Sequence, residues 1–286
     1  MTPLKTAEGC DLFSSLHAPL KACLQLVDVE VGISKSSEIE KLLSELSDSK
    51  TLHELSEEAV LNDIFVLERY VLLIGEYALL WRQIASSKFS ESWITLQNAF
   101  DLIRLIRRFS NIDTSAIEDQ LYALETLYPY KVFFSMGAVV EWFECSICGK
   151  DIDSFDCNHR KGELYLGRIA YATARNIVQL DHIAIVDQPA DKRCVISFSN
   201  EDNCFSAVRY LGELISSKKL LISCFGGVAW GKRRLQNPEY KVLRRNELCY
   251  CQSGIKFKKC CINKAFTEQD HAQILPRMSI IPRIIA

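Results

Sequence analysis

From the start of the chain to about Pro129, apolar residues return every three or four positions with polar residues between them, the period of a helix face. Leu42, Leu43 and Leu46 trace one stripe, and Leu67, Val71, Leu72, Gly75 and Leu79 a second. A third stripe, Trp93, Leu96, Ala99, Phe100, Ile103 and Leu105 or Ile106, belongs to a helix begun near Ser90 after a short turn at Lys88-Phe89-Ser90. Ser37 with Glu40, Thr51 with Glu54 and Ser115 with Glu118 have capping-box spacing, in which a hydroxyl and a carboxylate satisfy free amides at a helix start. No unit recurs at a fixed period, so residues 1–130 are expected to form an antiparallel helical bundle or hairpin array.

Beyond Pro129 the texture changes. Tyr130 to Phe143 (YKVFFSMGAVVEWF) is rich in aromatic and β-branched residues, and Ile169 to Ile177 and Leu180 to Val186 alternate, so strands are expected, closed by a turn at Asp187 to Ala190. Phe205, Val208, Leu211, Leu214 and Ile215 then define a helix begun near Ser199, with Asp202 as its box partner. The fold class is therefore α+β, mainly helical. With 48% hydrophobic residues in 286, the chain can bury a sizeable core. No apolar run approaches the length of about 20 residues that spans a bilayer, and MTPLKTAEGCD has no apolar middle of the signal-peptide kind.

Twelve cysteines without such a signal point to a cytoplasmic protein in which cysteine groups hold metal more often than they pair. Seven of the twelve fall in two groups. Cys145, Cys148, Cys157 and His159 have the spacing C-x2-C-x8-C-x-H, three thiolates and an imidazole, with Gly149 permitting the tight knuckle whose amides face a sulfur. Cys249 and Cys251, then Cys260 and Cys261, place four cysteines in thirteen positions. Gln252-Ser253-Gly254 is a turn composition that lets the second pair return beside the first. Four soft donors converging on a point suit Zn²⁺, which takes thiolates tetrahedrally, and adjacent cysteines rarely bond each other.

Arg244 to Cys261, RRNELCYCQSGIKFKKCC, resembles the SEC-C motif, the small zinc module at the carboxyl end of the translocation ATPase SecA and on other bacterial proteins. Arg245, Asn246, Cys249, Cys251, Ser253, Gly254, Lys256, Lys258, Lys259, Cys260 and Cys261 stand at matching positions of a pattern close to GRNDPCPCGSGKKYKKCC. Glu247, Leu248, Tyr250, Gln252, Ile255 and Phe257 depart from it without touching a ligand. The resemblance implies zinc and contact with a protein partner or the ribosome. It implies no reaction.

Between Lys232 and Lys264, ten Lys or Arg face only Glu239 and Glu247, an excess of eight positive charges in a chain whose formal net charge is −2. An alternative function follows: Arg244, Arg245, Lys256, Lys258 and Lys259 on the knob would neutralise phosphates of single-stranded RNA or DNA while Tyr250 and Phe257 stack on bases. Enzyme motifs are incomplete. Gly226 to Lys232 spells G-x4-G-K, but Arg233 stands where a Mg²⁺-holding Ser or Thr belongs, so a flexible basic linker is the preferred reading. His53-Glu54 lacks the second His of H-E-x-x-H because residue 57 is Glu. Asp181, His182, Asp187 and Asp191, the basis of a metal-dependent hydrolase reading, are spread by alternation and a turn. The expected organisation is a helical domain (1–130), an α+β domain clipped by the Cys3His zinc (131–225), a basic linker (226–243), a SEC-C-like zinc knob (244–264) and a tail (265–286). An interaction protein with two structural zinc sites, not an enzyme, is expected.

Overall fold

The computed structural model describes residues 2–29, 36–52, 57–196, 198–236, 243–250, 253–264 and 266–281. Five helices come first: α1 (Ala7–Val29), α2 (Ser36–Leu52), α3 (Glu58–Ala85), α4 (Phe89–Phe109) and α5 (Ser115–Glu125). Strand β1 (Phe133–Cys145) follows, then short β2 (Leu164–Tyr165) and β3 (Arg168–Ile169), and long β4 (Ala172–Val186). Helix α6 (Ser206–Ser216) precedes β5 (Phe225–Gln236) and β6 (Phe266–Pro276). The protein is α+β and mainly helical, with three two-stranded sheets among the described residues: β1–β4, β2–β3 and β5–β6. No helix of the described residues is long and apolar enough to cross a membrane.

Helix α3 is the axis of the helical layer. It packs on α1, α2, α4 and α6, and its buried residues run around the helix from Val60 through Tyr70, Tyr77 and Trp81 to Ile84. The sequence stripe Leu67, Val71, Leu72, Gly75 and Leu79 is thus part of a helix apolar on nearly every side, the pattern of a central helix rather than a surface one. Leu72, Gly75 and Leu79 are only partly buried. On α4 the spacing gives the buried face directly: Trp93, Leu96, Ala99, Phe100, Ile103 and Ile106 are buried, and Ile106 rather than Leu105 completes it.

Helix starts depart from the capping-box reading. Helix α2 already includes Ser36, and Thr51 lies in its last turn, where its hydroxyl donates to the Ser47 carbonyl at 3.1 Å; Glu54 lies outside the described residues, as does His53. Ser115 is the first residue of α5 and its amide donates to Asp113 Oδ1, while Glu118 accepts two bonds from Arg107 instead of capping. The box at Ser199 is half formed: Asp202 accepts from the Ser199 amide, and the chain makes a 3-10 turn (Asn203–Phe205) before α6 begins.

Buried polar groups join distant segments. Gln120 of α5, fully buried, accepts from Tyr77 Oη at 2.5 Å and donates to the carbonyls of Ile222 and Phe225. Asp28 of α1 accepts from the amide and the hydroxyl of Ser223. The chain end returns to the same turn, where Arg277 and Ile280 donate to the carbonyls of Cys224 and Ser223 and Ile280 is buried.

The chain divides into two compact units, Met1–Gly226 with Pro276–Ala286, and Gly227–Leu275. In the second, the segment expected as a basic linker is strand as far as Gln236, because β6, some 30 residues further on, supplies the hydrogen-bonding partner. The glycines of Gly226 to Lys232 lie within β5, Gly227 with a positive φ of 150°, and form no phosphate-cradling loop leading into a helix.

Candidate metal centres

The first group is built where β1 ends. Cys145 is the last residue of that strand and is buried. The chain reverses at once: the Gly149 amide donates to the Cys145 carbonyl, Cys145 donates to Lys150, and Ile152 donates back to Phe143. Gly149 has φ 72°, the left-handed conformation that a side chain disfavours. A second turn, in which Cys157 donates to the Ser154 carbonyl, brings Cys157 and His159 back to the knuckle. One ligand atom from each of Cys145, Cys148, Cys157 and His159 lies within 4.8 Å of every other.

The separations have chemical meaning. Cys148 Sγ and Cys157 Sγ are 3.7 Å apart, and Cys157 Sγ is 3.8 Å from His159 Nδ1. Two sulfurs bound tetrahedrally to one ion at about 2.3 Å stand about 3.8 Å apart, whereas bonded sulfurs stand about 2 Å apart. At Cys145 burial pushes the thiol up, but the amides of Cys148 and Ile147 aimed at its sulfur, together with the Cys148 and Cys157 thiols, hold it below the ordinary range. Cys157 is pushed the other way: the His159 amide pulls it down, and burial with the neighbouring Cys148 and Cys145 outweighs that pull. One negative sulfur in the group thus resists a second, an opposition that a shared cation relieves.

Sequence reasoning missed the group's supports. Tyr165 of β2 stands edge-on to the His159 ring with centroids 4.8 Å apart, and its hydroxyl accepts from the Arg160 amide, so it sets the ring's orientation. The loop 162–167 is in turn held by the helices, with Arg108 of α4 paired to Glu163 at 2.7 Å and Asn62 of α3 accepting from the Gly167 amide at 2.8 Å. The signal in the sequence that could have marked this loop is its flanking pair, Gly162 and Gly167, both of positive φ.

The second group is a miniature core. Cys249, Phe257 and Cys261 are buried together, with Leu243, Tyr250, Cys260 and Ile262 packed around them. Cys249 donates to Ile255, Phe257 to Glu247 and Lys258 to Arg245, so the two arms of the motif run side by side, and Phe257–Lys259 forms a 3-10 turn that delivers the second cysteine pair. The sulfurs of Cys260 and Cys261 are 3.7 Å apart, and the ligand atoms of Cys249, Cys260 and Cys261 lie within 4.8 Å of one another. Cys251, the fourth expected donor, lies outside the described residues.

Arg244, Arg245, Lys256, Lys258 and Lys259 are all exposed on this knob. Phe257 is not a stacking platform: it is 3% exposed and serves as the knob's centre, with the half-buried Tyr250 ring tilted against it at 6.1 Å. Nor are the acidic residues of the hydrolase reading gathered. Asp181 pairs with its neighbour His182 at the surface and Asp191 with Arg193, and among the described residues only the two cysteine groups form clusters that could hold a metal ion. The chain matches no curated protein and no solved structure. The family described as SEC-C motif matches residues 245–263, the stretch of the knob that carries Cys249, Cys260 and Cys261.

Proposed function

We propose that the chain is a metal-stabilised interaction protein with two structural Zn²⁺ sites, Cys145, Cys148, Cys157 and His159 in one and Cys249, Cys251, Cys260 and Cys261 in the other, and no catalytic role at either. The observation that carries this reading is the convergence of sulfur donors in two groups within 4.8 Å, one of them inside a SEC-C motif. Four protein donors fill a tetrahedral ion and leave no position for a reactive water. The second group's three-residue centre buries too little to hold a fold, and a metal contributes on the order of 10 kcal/mol in comparable small modules. The knob's free face is basic, and it is this face that contacts an acidic patch on a protein partner or the ribosome, in a cytoplasmic setting.

Elemental analysis of the untagged protein tests the metal: about two zinc per chain is expected from two tetrahedral sites, and no stoichiometric transition metal would end the reading. Capture from lysate with and without chelator then tests the partner, which should be lost on chelation.

Binding to single-stranded RNA through Arg244, Arg245, Lys256, Lys258 and Lys259 is the second reading, favoured by the exposed Lys232, Arg233 and Arg234 of β5 in the same unit. With Phe257 turned inward it rests on charge, so affinity should fall steeply between about 50 and 200 mM salt. Absence of micromolar binding at the lowest salt removes it.

A further inference from the structure

The β1–β4 ribbon carries an apolar face that no described residue of its own compact unit covers. Cross-strand pairs Phe134–Ile185, Met136–Ile183, Ala138–Leu180 and Val140–Ile177 share that face. Met136, Ile177, Leu180, Ile183 and Ile185 are between 62% and 75% exposed. No charged residue belongs to these four pairs. Beyond them Arg175 and Glu144 pair with each other, so the charges at this end of the ribbon are matched within the chain.

The face is built, not incidental. Along β4 the spacing Ile177, Leu180, Ile183 is three residues, which in a regular strand would throw alternate side chains to opposite faces. The register shifts between Gly137 and Ala138 and between Val139 and Val140, where Asp181 and Val178 are the extra residues. Each bulge inserts one unpaired residue and restores the next apolar side chain to the same side. A two-stranded ribbon is marginal in water unless an apolar face is packed, and this one runs for 13 and 15 residues with no third strand among the described residues.

We propose that this face packs against the same face of a second copy of the chain, making a symmetric dimer in which two ribbons stack as a small sandwich. A copy offers what the face requires: an uncharged, apolar strip of equal length and the same twist, matched by a two-fold axis that sets the strip against its own equivalent. Homodimer interfaces are the most apolar class. The area agrees: at about 200 Å² for a fully exposed residue of this size, the five side chains present on the order of 650 Å², most of the roughly 800 Å² each partner gives to a standard interface.

Sedimentation of the 286-residue chain, purified with its metal, tests the proposal. The wild type is expected at twice the 32.6 kDa chain mass. Ile183→Lys, and separately Met136→Lys on the paired strand, should raise the dissociation constant at least about tenfold, with circular dichroism and metal content unchanged as the check on folding. Val139→Lys, at an exposed position on the opposite face, should remain dimeric. A wild type at 32.6 kDa up to about 50 µM, the outcome if a different protein covers the face, overturns the proposal. So does a dimer indifferent to both Ile183→Lys and Met136→Lys, or one that Val139→Lys dissociates as readily.

Discussion

Gly167 lies against Leu61 so closely that a side-chain carbon at residue 167 would stand 2.8 Å from the Leu61 carbonyl oxygen. Its φ of 69° is left-handed, its amide donates to Asn62 Oδ1, and its carbonyl accepts from Lys50 Nζ at 2.9 Å. The loop that orients His159 is thereby locked to α2 and α3. Gly167→Ala should cost about 2 kcal/mol or more, from backbone strain and a clash with backbone that cannot retreat. Urea midpoints of the two proteins give the difference, and an unchanged midpoint would refute the locking.

The same docking separates the consequences of breaking each cysteine group. Cys145, Cys148, Cys157 and His159 lie in the larger compact unit with the helices, whereas the knob lies in the smaller one. Cys148→Ser should lower the main thermal transition by several degrees, on the order of 5 °C for a loss of about 2 kcal/mol in a chain of this size. Cys260→Ser should leave that transition in place while residues 243–264 become susceptible to protease. Melts, metal content and limited proteolysis of both variants check the contrast, and equal melting losses would contradict it.

At the start of the chain, Asp63 of α3 accepts from the amides of Lys5 and Thr6 and from the Thr6 hydroxyl, which in turn caps α1 by accepting from the Gly9 amide. A Cβ on Gly9 would stand 2.6 Å from Asp63 Oδ2. Gly9→Ala should therefore destabilise by about 1–3 kcal/mol even though alanine favours helix interiors by about 1 kcal/mol. Asp63→Ala should cost a similar amount by leaving those donors unsatisfied. Denaturant unfolding of the single variants tests both.

Alkaline stability follows from three buried phenols. Burial holds Tyr70, Tyr77 and Tyr128 protonated well above the ordinary value of 10.0, with Asp113 adding to the effect at Tyr70. Unfolded, these groups ionise near pH 10, so above that pH the folded chain binds more protons than the unfolded one. Stability is then whole below pH 10 and falls as pH rises, by up to about 1.4 kcal/mol per unit for each phenol. Melting temperatures across that range should show the fall, with a shallower slope in Tyr128→Phe.

Much of this was legible in the chain itself. The face of α4 follows from spacing because a helix repeats every 3.6 residues whatever surrounds it, and Trp93, Leu96 and Ala99 are buried where the period puts them. The donors of the two cysteine groups come from stretches of 15 and 13 positions, short enough for local turns to gather them, so their composition alone announced them.

The rest was decided at longer range. That α3 is central depends on four other helices closing around it, and that residues 225–236 are strand depends on a partner at 266–276. Local sequence carries no record of either, because what fixes them is burial and pairing between segments far apart in the chain. The two bulges that turn an irregular apolar spacing into one continuous face, and the inward turn of Phe257, belong to the same class: cross-strand register sets side-chain direction in the first and packed neighbours set it in the second, not the residue's own type.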